Sequence, residues 1–439
     1  MLPSLKKYLT GKVKKLFNYR GSHMLNSRNE VLASLNHKQP SKLPIDLGGC
    51  PATSIAAITY NKVIKKLGIS EGLPHLYDFM QQLAFPGQKI RELFKVDVVD
   101  PNQFFLTDDK YWKEFVIPHD GTKCAIPALW DNIFDIVTDE NQTVFLKLKD
   151  GTILGKMPKS SRVVDQAYWP LAAFEKIPEE IDTNLINKHL WNVPSLISLT
   201  QKYMQNGDAI AMEKMKDLHE SGQYLIMYAF GGNIFDVNFT IRGMDNFLID
   251  IYKDRQGAKR LVEKVFENNM AGLEKLMSTF AKYIDVLLFY DDLSYQSGLF
   301  IPPEIYREMF KPYHKKMWDY VHKNSDCKVC LHCCGSAYAL IPDLIEAGMD
   351  IINPVQINAL NMEPAGLKKE FGKDLVFWGG GCDTKTLTLK SPEIVKEEVK
   401  RNIDILFKDG GYVFSSIHNI TAEVPPENVI AMFEAASEL

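Results

Sequence analysis

From about residue 185 onward, the chain alternates short apolar runs with longer segments whose apolar residues recur at helical spacing. The apolar runs are rich in β-branched and aromatic residues and predict strands at 224–230, 286–291, 328–333, 351–355, 375–378 and 412–416. The longer segments predict helices at 241–283, 302–324, 336–347, 362–371, 391–407 and 425–437. Strands that are apolar throughout and alternate with helices indicate a parallel sheet buried on both faces.

The number of strands favours an α/β fold of the (β/α)8 or TIM-barrel type. A further strand at 43–47 makes seven, and we expect the eighth within 97–130 or 185–205. A doubly wound sheet is the alternative, but no Gly-x-Gly-x-x-Gly motif follows the first strand, so dinucleotide binding lacks support. In a barrel, functional residues lie at the carboxyl ends of the strands.

The first part of the chain departs from this rhythm. Helices are predicted at 26–35, 53–68 and 75–94. Residues 100–170 are rich in β-forming residues, and Asp150-Gly151 between two alternating apolar runs predicts a hairpin. We therefore expect a β-rich insertion at about 100–170.

The amino-terminal end is expected to lie outside the fold. Residues 1–20 carry six basic residues and no acid, and Gly21-Ser22-His23 resembles a cloning remnant. We expect 1–23 to be an extension or a foreign segment, and 24–439 to form one barrel domain.

Composition excludes several classes of protein. The chain has 439 residues, a net charge of −4 and 46% hydrophobic residues, which is ordinary for a globular protein. No apolar run approaches 18 residues, so no membrane-spanning helix is expected, and the balanced charge argues against nucleic-acid binding. Seven cysteines without a secretory signal pattern indicate a cytoplasmic protein with reduced thiols.

The clearest chemical signal is a set of thiol and imidazole groups after two predicted strands. His332 and Cys334 are two residues apart, so they face the same way at a strand end. Cys382 follows three glycines after the next strand but one. One histidine and two cysteines are common zinc ligands, and three protein ligands leave a position open for catalysis. We expect these three residues to bind Zn²⁺.

Other polar and aromatic side chains follow the predicted strands. Asp291 and Asp292 are candidate catalytic residues, because paired carboxylates can act as acid and base or orient a ligand histidine. Candidate substrate-binding residues at strand ends are Asp46, Met227, Tyr290, His418 and Asn419.

Three segments of the chain resemble the uroporphyrinogen decarboxylase superfamily. They are Ser27-Arg-Asn-Glu-Val-Leu-Ala-Ser-Leu-Asn-His37 with Pro44-Ile-Asp46, residues 301–313, and Val424-Pro-Pro-Glu-Asn-Val-Ile-Ala-Met432. The resemblance extends over about 24–437 and implies a (β/α)8 barrel.

The branch implied is that of the corrinoid-dependent zinc methyltransferases. The decarboxylases carry an Arg-Gln-Ala-Gly segment after the first strand, where this chain has Gly48-Gly-Cys-Pro-Ala52. The methyltransferases bind zinc through His-x-Cys, matched here by His332-x-Cys334, and a later Cys. In the methylcobalamin:coenzyme M enzymes that third ligand lies near the last strand, where this chain has Ser415-Ser-Ile-His418. With Cys382 one strand earlier, the chain looks more like the methyltransferase I components of O-demethylase systems.

The resemblance implies a zinc enzyme that moves a methyl group from an aryl methyl ether to the Co(I) corrinoid (cobalamin) of a partner protein. The expected partners are a transient corrinoid-binding protein and a small methoxylated aromatic substrate, and a homodimer is possible. The alternatives are a methylcobalamin:thiol methyltransferase and a decarboxylase-like barrel that binds a ligand without this chemistry.

Overall fold

The computed structural model describes residues 27–438, so the expected extension at 1–23 lies outside the described residues. Eight parallel strand segments form the centre. They are β1 (45–46), β2 (Val98–Val99), β3 (Leu225–Gly231), β4 (Val286–Tyr290), β5 (Lys328–His332), β6 (Ile351–Asn353), β7 (Val376–Trp378) and β8 (Tyr412–Val413).

These strands close into a barrel. β2 to β8 form one parallel sheet in sequence order. β1 joins its two edges, because Ile45 pairs with Phe414 beyond β8 and Asp46 pairs with Val98 in β2. The predicted (β/α)8 fold is confirmed, and the eighth strand lies within the predicted range 97–130.

The helices pack around the barrel and on its loops. Their bounds are Ser27–Leu35, Ala57–Leu67, Gln88–Leu93, Thr183–Ile186, Leu196–Tyr203, Gly207–Glu220, Val237–Arg242, Met244–Lys253, Arg255–Phe280, Pro303–Met309, Lys311–Asn324, Ile341–Ala347, Pro364–Phe371, Thr384–Leu389, Pro392–Leu406 and Pro426–Ser437. The predicted helix 75–94 is wrong over its first part, which forms strands Leu76–Asp78 and Leu83–Ala84.

Two hydrophobic layers hold the barrel. One lies between strands and helices, and the other fills the barrel interior with residues such as Met227 and Trp378. Helix Ser27–Leu35 covers the amino-terminal end of the barrel, where Val31 and Leu35 join the interior layer. The opposite end, where the strands finish, is left to the loops.

The β-rich insertion is confirmed. Trp112–Val116 pairs with Lys123–Pro127, and a second sheet contains Phe134–Thr138, Val144–Leu148, Ile153–Met157 and Asp165–Gln166. Val144–Leu148 and Ile153–Met157 are antiparallel across the predicted Asp150-Gly151 turn. Within the described part, no helix combines the length and apolar character that crossing a membrane would require.

Candidate metal centre

Three side chains with metal-binding atoms converge at the carboxyl ends of β5 and β8. The ligand atoms of His332, Cys334 and His418 all lie within 4.8 Å of one another. Nε2 of His332 is 3.3 Å from the Cys334 sulfur, and the two imidazole rings are 5.4 Å apart between centroids. His332 and Cys334 come together as predicted, whereas His418 had been expected to bind substrate.

A hydrogen bond at one ring nitrogen of His332 orients the other nitrogen toward the remaining donors. Its Nδ1 is 2.6 Å from the Asn353 side-chain oxygen, an acceptor that favours a proton on Nδ1 and leaves Nε2 as the free donor atom. Burial lowers the pKa of His332 to about 4, with Asp292 opposing the shift. The ring is therefore neutral at physiological pH, which is the form that binds metals.

Cys334 lies against an acidic neighbour. Its backbone N–H donates to the Asp292 carboxylate at 2.7 Å. Burial, and then the Asp292 charge, raise the pKa of the Cys334 thiol well above its ordinary value. A bound divalent cation reverses this balance, because a coordinated thiol is deprotonated.

The expectation that Cys382 completes the site is not met, since it is absent from the group of converging donor atoms in the described chain. Cys382 is 1% exposed, and its thiol lies beside Glu398 of helix Pro392–Leu406; burial first, and then Glu398, raise the thiol pKa. Gly379 and Gly380 have φ angles of +104° and +72°, so the alternation of a strand is lost before residue 382. The third potential donor that converges with His332 and Cys334 is His418.

Asp291 was expected to be catalytic, but its carboxylate is already engaged. It accepts hydrogen bonds from the backbone N–H groups of 234–236 at 2.8–3.1 Å and lies 2.9 Å from Nε2 of His314. Asp291 is 0% exposed. The Asp291 carboxylate holds the loop after β3 in place. These hydrogen bonds and the contact with His314 occupy its oxygen lone pairs, so none is free for a substrate.

Asp292, the other candidate catalytic residue, lies beside Cys334 and His332, and a further acid, Asp236, is its neighbour. Its N–H donates to the Asp236 carboxylate at 3.1 Å, and Asn233 donates to the same carboxylate. Burial, followed by the charges of Asp291 and Asp292, raises the pKa of Asp236 well above the ordinary value. This concentration of carboxyl groups favours a cation at the site.

The predicted substrate-binding residues other than His418 lie in three different places. Asp46 is fully buried and accepts from the Trp378 indole at 2.8 Å and the Gly49 N–H at 2.7 Å, and Met227 is buried in the barrel interior. Tyr290 has its ring 5.1 Å from that of His332. Asn419 contacts Nδ1 of His418 at 2.8 Å and donates to Gln81 at 2.6 Å.

Sequence reasoning missed several residues at this end of the barrel. Asn353 ends a strand, as the other site residues do, so its position was a usable signal. Tyr77 and Asp78 come from the part predicted as helix, and Asp236 comes from the loop after β3. Asp100 directly follows β2, a strand whose position within 97–130 the sequence left open.

Comparison with known proteins gives a family for the carboxyl-terminal part of the chain. The family description uroporphyrinogen decarboxylase (URO-D) matches residues 209–439. A search of curated proteins finds no match.

One of two similar solved structures supports the fold. A methyltransferase from Methanosarcina mazei is similar with a TM-score of 0.55 and 15% identity, covering 94% of this chain and 99% of the other. A B12-independent methionine synthase from Shewanella sp. W3-18-1 has a TM-score of 0.37 and 11% identity, covering 91% of this chain and 97% of its own. The first likeness spans nearly the whole chain and agrees with the barrel.

Proposed function

The chain belongs to the uroporphyrinogen decarboxylase family, and within it we propose a zinc-dependent methyltransferase that passes the methyl group of an aryl methyl ether to the Co(I) corrinoid of a partner protein. The observation that carries the proposal is the convergence of His332, Cys334 and His418 at the carboxyl ends of the strands. Barrel enzymes perform their chemistry at this end.

The three donors fit zinc better than a harder cation. Zinc binds thiolate at about 2.3 Å and imidazole at about 2.0–2.1 Å, so tetrahedral ligands lie roughly 3.6 Å apart. The 3.3 Å between His332 and Cys334 is close to that spacing, and the spread of up to 4.8 Å needs only a small inward shift of one ring. Asn353 supplies the oxygen that fixes the orientation of a ligand imidazole.

When bound, zinc supplies a Lewis acid that stabilises negative charge on the ether oxygen as the methyl group leaves. His332, Cys334 and His418 would hold the metal, and with one thiolate the zinc and its ligands would carry a net charge of +1. Tyr290, next to His332, offers a flat surface for the aromatic ring. Asp292 fixes Cys334 through its backbone N–H.

The corrinoid is proposed to arrive on a separate protein. The chain does contain the letters Asp217-Leu-His219-Glu-Ser-Gly222, which match the spacing Asp-x-His-x-x-Gly of corrinoid-binding domains. His219, however, is in the last turn of helix Gly207–Glu220 and packs against Tyr283 at 5.8 Å. That turn precedes β3 and lies at the amino-terminal end of the barrel, so it cannot present cobalt to the metal donors.

Methylation of a thiol by methylcobalamin is a second candidate, because His418 follows the last strand. In the coenzyme M enzymes of the family this is the place of the third zinc ligand. The chemistry of the ligands favours the ether instead. Zinc bound by two neutral imidazoles and one thiolate would be a stronger Lewis acid than zinc bound by two thiolates. Such a site polarises an ether oxygen better and activates a bound thiolate less.

The test begins with metal analysis of the protein and three variants. We expect about one zinc per chain in the protein and in Cys382→Ser, and a loss of zinc in Cys334→Ser and His418→Ala, because only the last two remove a donor. Retention in Cys334→Ser together with loss in Cys382→Ser would contradict the donor set.

Turnover then separates the two methyl transfers. Zinc-loaded protein is mixed with a reduced corrinoid protein and 2-methoxyphenol, and formation of methylcobalamin is followed by absorbance. The opposite reaction uses methylcobalamin and a panel of small thiols. Methylcobalamin formed from the ether supports the proposal, whereas methyl transfer to thiols alone replaces it with the second candidate.

A further inference from the structure

Beside the metal donors, a group of acids and phenols gathers at the carboxyl end of the barrel. We name Asp46, Tyr77, Asp78, Asp100 and Tyr290 the acid–phenol cluster. Asp46 belongs to β1, Asp100 follows β2 by one residue, and Tyr290 ends β4.

The remaining two members come from a ribbon that lies at this same end. Tyr77 and Asp78 belong to strand Leu76–Asp78, which pairs with Leu83–Ala84. The neighbouring turn is tied to the segment after β8, since Asn419 donates to Gln81 at 2.6 Å. Tyr290 connects the cluster to the metal donors, because its ring lies 5.1 Å from that of His332.

Two hydroxyl groups of the cluster have unused hydrogen-bonding capacity. The hydroxyl oxygens of Tyr77 and Tyr290 are buried and make no hydrogen bond of good geometry among the described residues, although the Ser54 hydroxyl, which donates to Ala84, lies beside Tyr77. Each responds to the charges of Asp78 and Asp100, so the four groups share one neighbourhood. Buried polar groups are nearly always paired in native proteins, so an unpaired pair of hydroxyls in one place points to a ligand that completes them.

The electrostatic character of the cluster is uniformly acidic. Asp46, Asp78 and Asp100 are all buried, and burial raises the pKa of Asp46 to about 6 and that of Asp100 to about 7. Among the described residues, the neighbouring charges that raise the pKa values of Tyr77, Asp100 and Tyr290 come from acids, thiols and phenols, with no lysine or arginine among them. A carboxylate brought here would be desolvated beside other carboxyl groups, and no lysine or arginine of the described residues is in place to pair with it.

We infer that the acid–phenol cluster binds the ring substituents of the methyl donor and selects donors that carry no negative charge. The Tyr77 and Tyr290 hydroxyls bond a hydroxyl or amide of the donor, and the acids exclude a carboxylate. The substrate class is thus an uncharged methoxyphenol or methoxybenzamide and excludes a methoxybenzoate. The inference rests on the proposed function, because it concerns the methyl donor of that reaction.

The test uses two ligands of equal shape that differ in charge, 3-methoxybenzamide and 3-methoxybenzoate. Their affinities for the zinc-loaded protein are measured by calorimetry at pH 7.5, without a corrinoid. We expect the amide to bind about tenfold more tightly or better, as like-charge juxtaposition in a buried site disfavours the carboxylate. Equal affinities, tighter binding of the benzoate, or binding of neither ligand would overturn the inference.

Variants assign the selectivity to the cluster. Asp100→Asn keeps an acceptor for Asn102 and removes an acid, so the ratio of the two affinities should fall several-fold toward one. Tyr77→Phe should weaken the amide with little effect on the benzoate. Asp245→Asn, at an exposed acid outside the acid–phenol cluster, is the matched control. A ratio in Asp100→Asn equal to that of the control would contradict the assignment.

Failure of the inference and failure of the proposed function give different results. If 3-methoxybenzamide binds selectively but yields no methylcobalamin, the cluster is a ligand site and ether demethylation is wrong. If methylcobalamin forms equally well from amide and benzoate, ether demethylation holds and the charge selection is wrong.

Discussion

The carboxyl group of Asp100 is a buried acid whose proton is held more tightly in the folded protein than in the unfolded chain. It is 2% exposed, and burial raises its pKa from 3.8 to about 7, opposed by hydrogen bonds from Asn102. Between these two values the folded protein binds more protons than the unfolded chain, so its stability falls as the pH rises. Asp100 therefore costs stability above pH 7 and nothing below about pH 4.

The variant Asp100→Asn should for this reason stabilise the protein in a pH-dependent way. We expect its advantage in free energy of unfolding to be absent near pH 4, to grow through pH 5–7, and to level at roughly 4 kcal/mol or less. Denaturant unfolding of both proteins at a series of pH values measures the difference. A constant difference across the series would show that Asp100 does not titrate in this way.

At the scale of single residues, strand alternation predicted part of the site and missed the rest. His332 and Cys334 lie on the end of a regular strand, so their common direction followed from their spacing. Cys382 comes after glycines with positive φ, where spacing no longer indicates direction. Asp291 was correctly placed at a strand end, but sequence could not show that the backbone N–H groups of 234–236 occupy its carboxylate.

Among the elements, the turn after β5 places the metal donors through a glycine. Gly335 directly follows Cys334 with φ +87°, and a Cβ at this position would lie 2.6 Å from the backbone of Tyr295. Gly335→Ala should lower the free energy of unfolding by about 1–3 kcal/mol and weaken zinc binding, because residue 334 must move with the turn.

Gly366→Ala is the matched control for that substitution. Gly366 is in helix Pro364–Phe371 with open space around it, so alanine should be neutral or stabilise by up to about 1 kcal/mol. Thermal unfolding and zinc content of the two variants test the prediction. Equal behaviour of both would mean that the turn tolerates a side chain.

A second element-scale feature is the buried chain of hydrogen bonds that holds the loop after β3. The Tyr306 hydroxyl lies 3.1 Å from Nδ1 of His314, and Nε2 of His314 lies 2.9 Å from the Asp291 carboxylate. Asp291 in turn accepts hydrogen bonds from the backbone N–H groups of the loop. His314→Leu should cost about 2 kcal/mol or more, because a hydrogen bond to a buried carboxylate is lost. The exposed His322, which contacts Asp350, provides the control His322→Leu, with an expected cost below about 1 kcal/mol. Guanidinium unfolding midpoints compare them, and equal shifts would contradict the structural role of His314.

Element prediction succeeded where strands are central and buried, and failed where the chain folds over the barrel mouth. The strands at 286–291 and 328–333 are apolar throughout because both faces are covered, and this pattern is hard to mistake. The segment 75–94 has apolar residues at mixed spacing, and tertiary pairing of Leu76–Asp78 with Leu83–Ala84 decides its conformation. Two members of the acid–phenol cluster were missed for this reason.

At the scale of the whole molecule, the two ends of the barrel differ: one is closed by a helix, and the other carries the candidate functional residues. Helix Ser27–Leu35 closes the amino-terminal end: Arg28 donates to Asp285 at 2.6 Å, and Ser34 bonds Tyr412 at 2.7 Å. The acid–phenol cluster and the metal donors are at the opposite end. The family match covers 209–439, yet the barrel needs β1, β2 and this helix from the first part of the chain to close.

This division predicts that packing at the closed end supports the fold without acting on the chemistry. Leu35 is 2% exposed and packs in the barrel interior, so Leu35→Ala should lower the free energy of unfolding by about 2–5 kcal/mol. Leu389, which is 74% exposed, gives the control Leu389→Ala, with an expected change within about 0.5 kcal/mol. Below its unfolding temperature, Leu35→Ala should still hold zinc, since the donors are carried by the strand ends. Loss of zinc in folded Leu35→Ala would show that the two ends are coupled through the barrel interior, and a stability equal to that of Leu389→Ala would show that helix Ser27–Leu35 does not close the barrel.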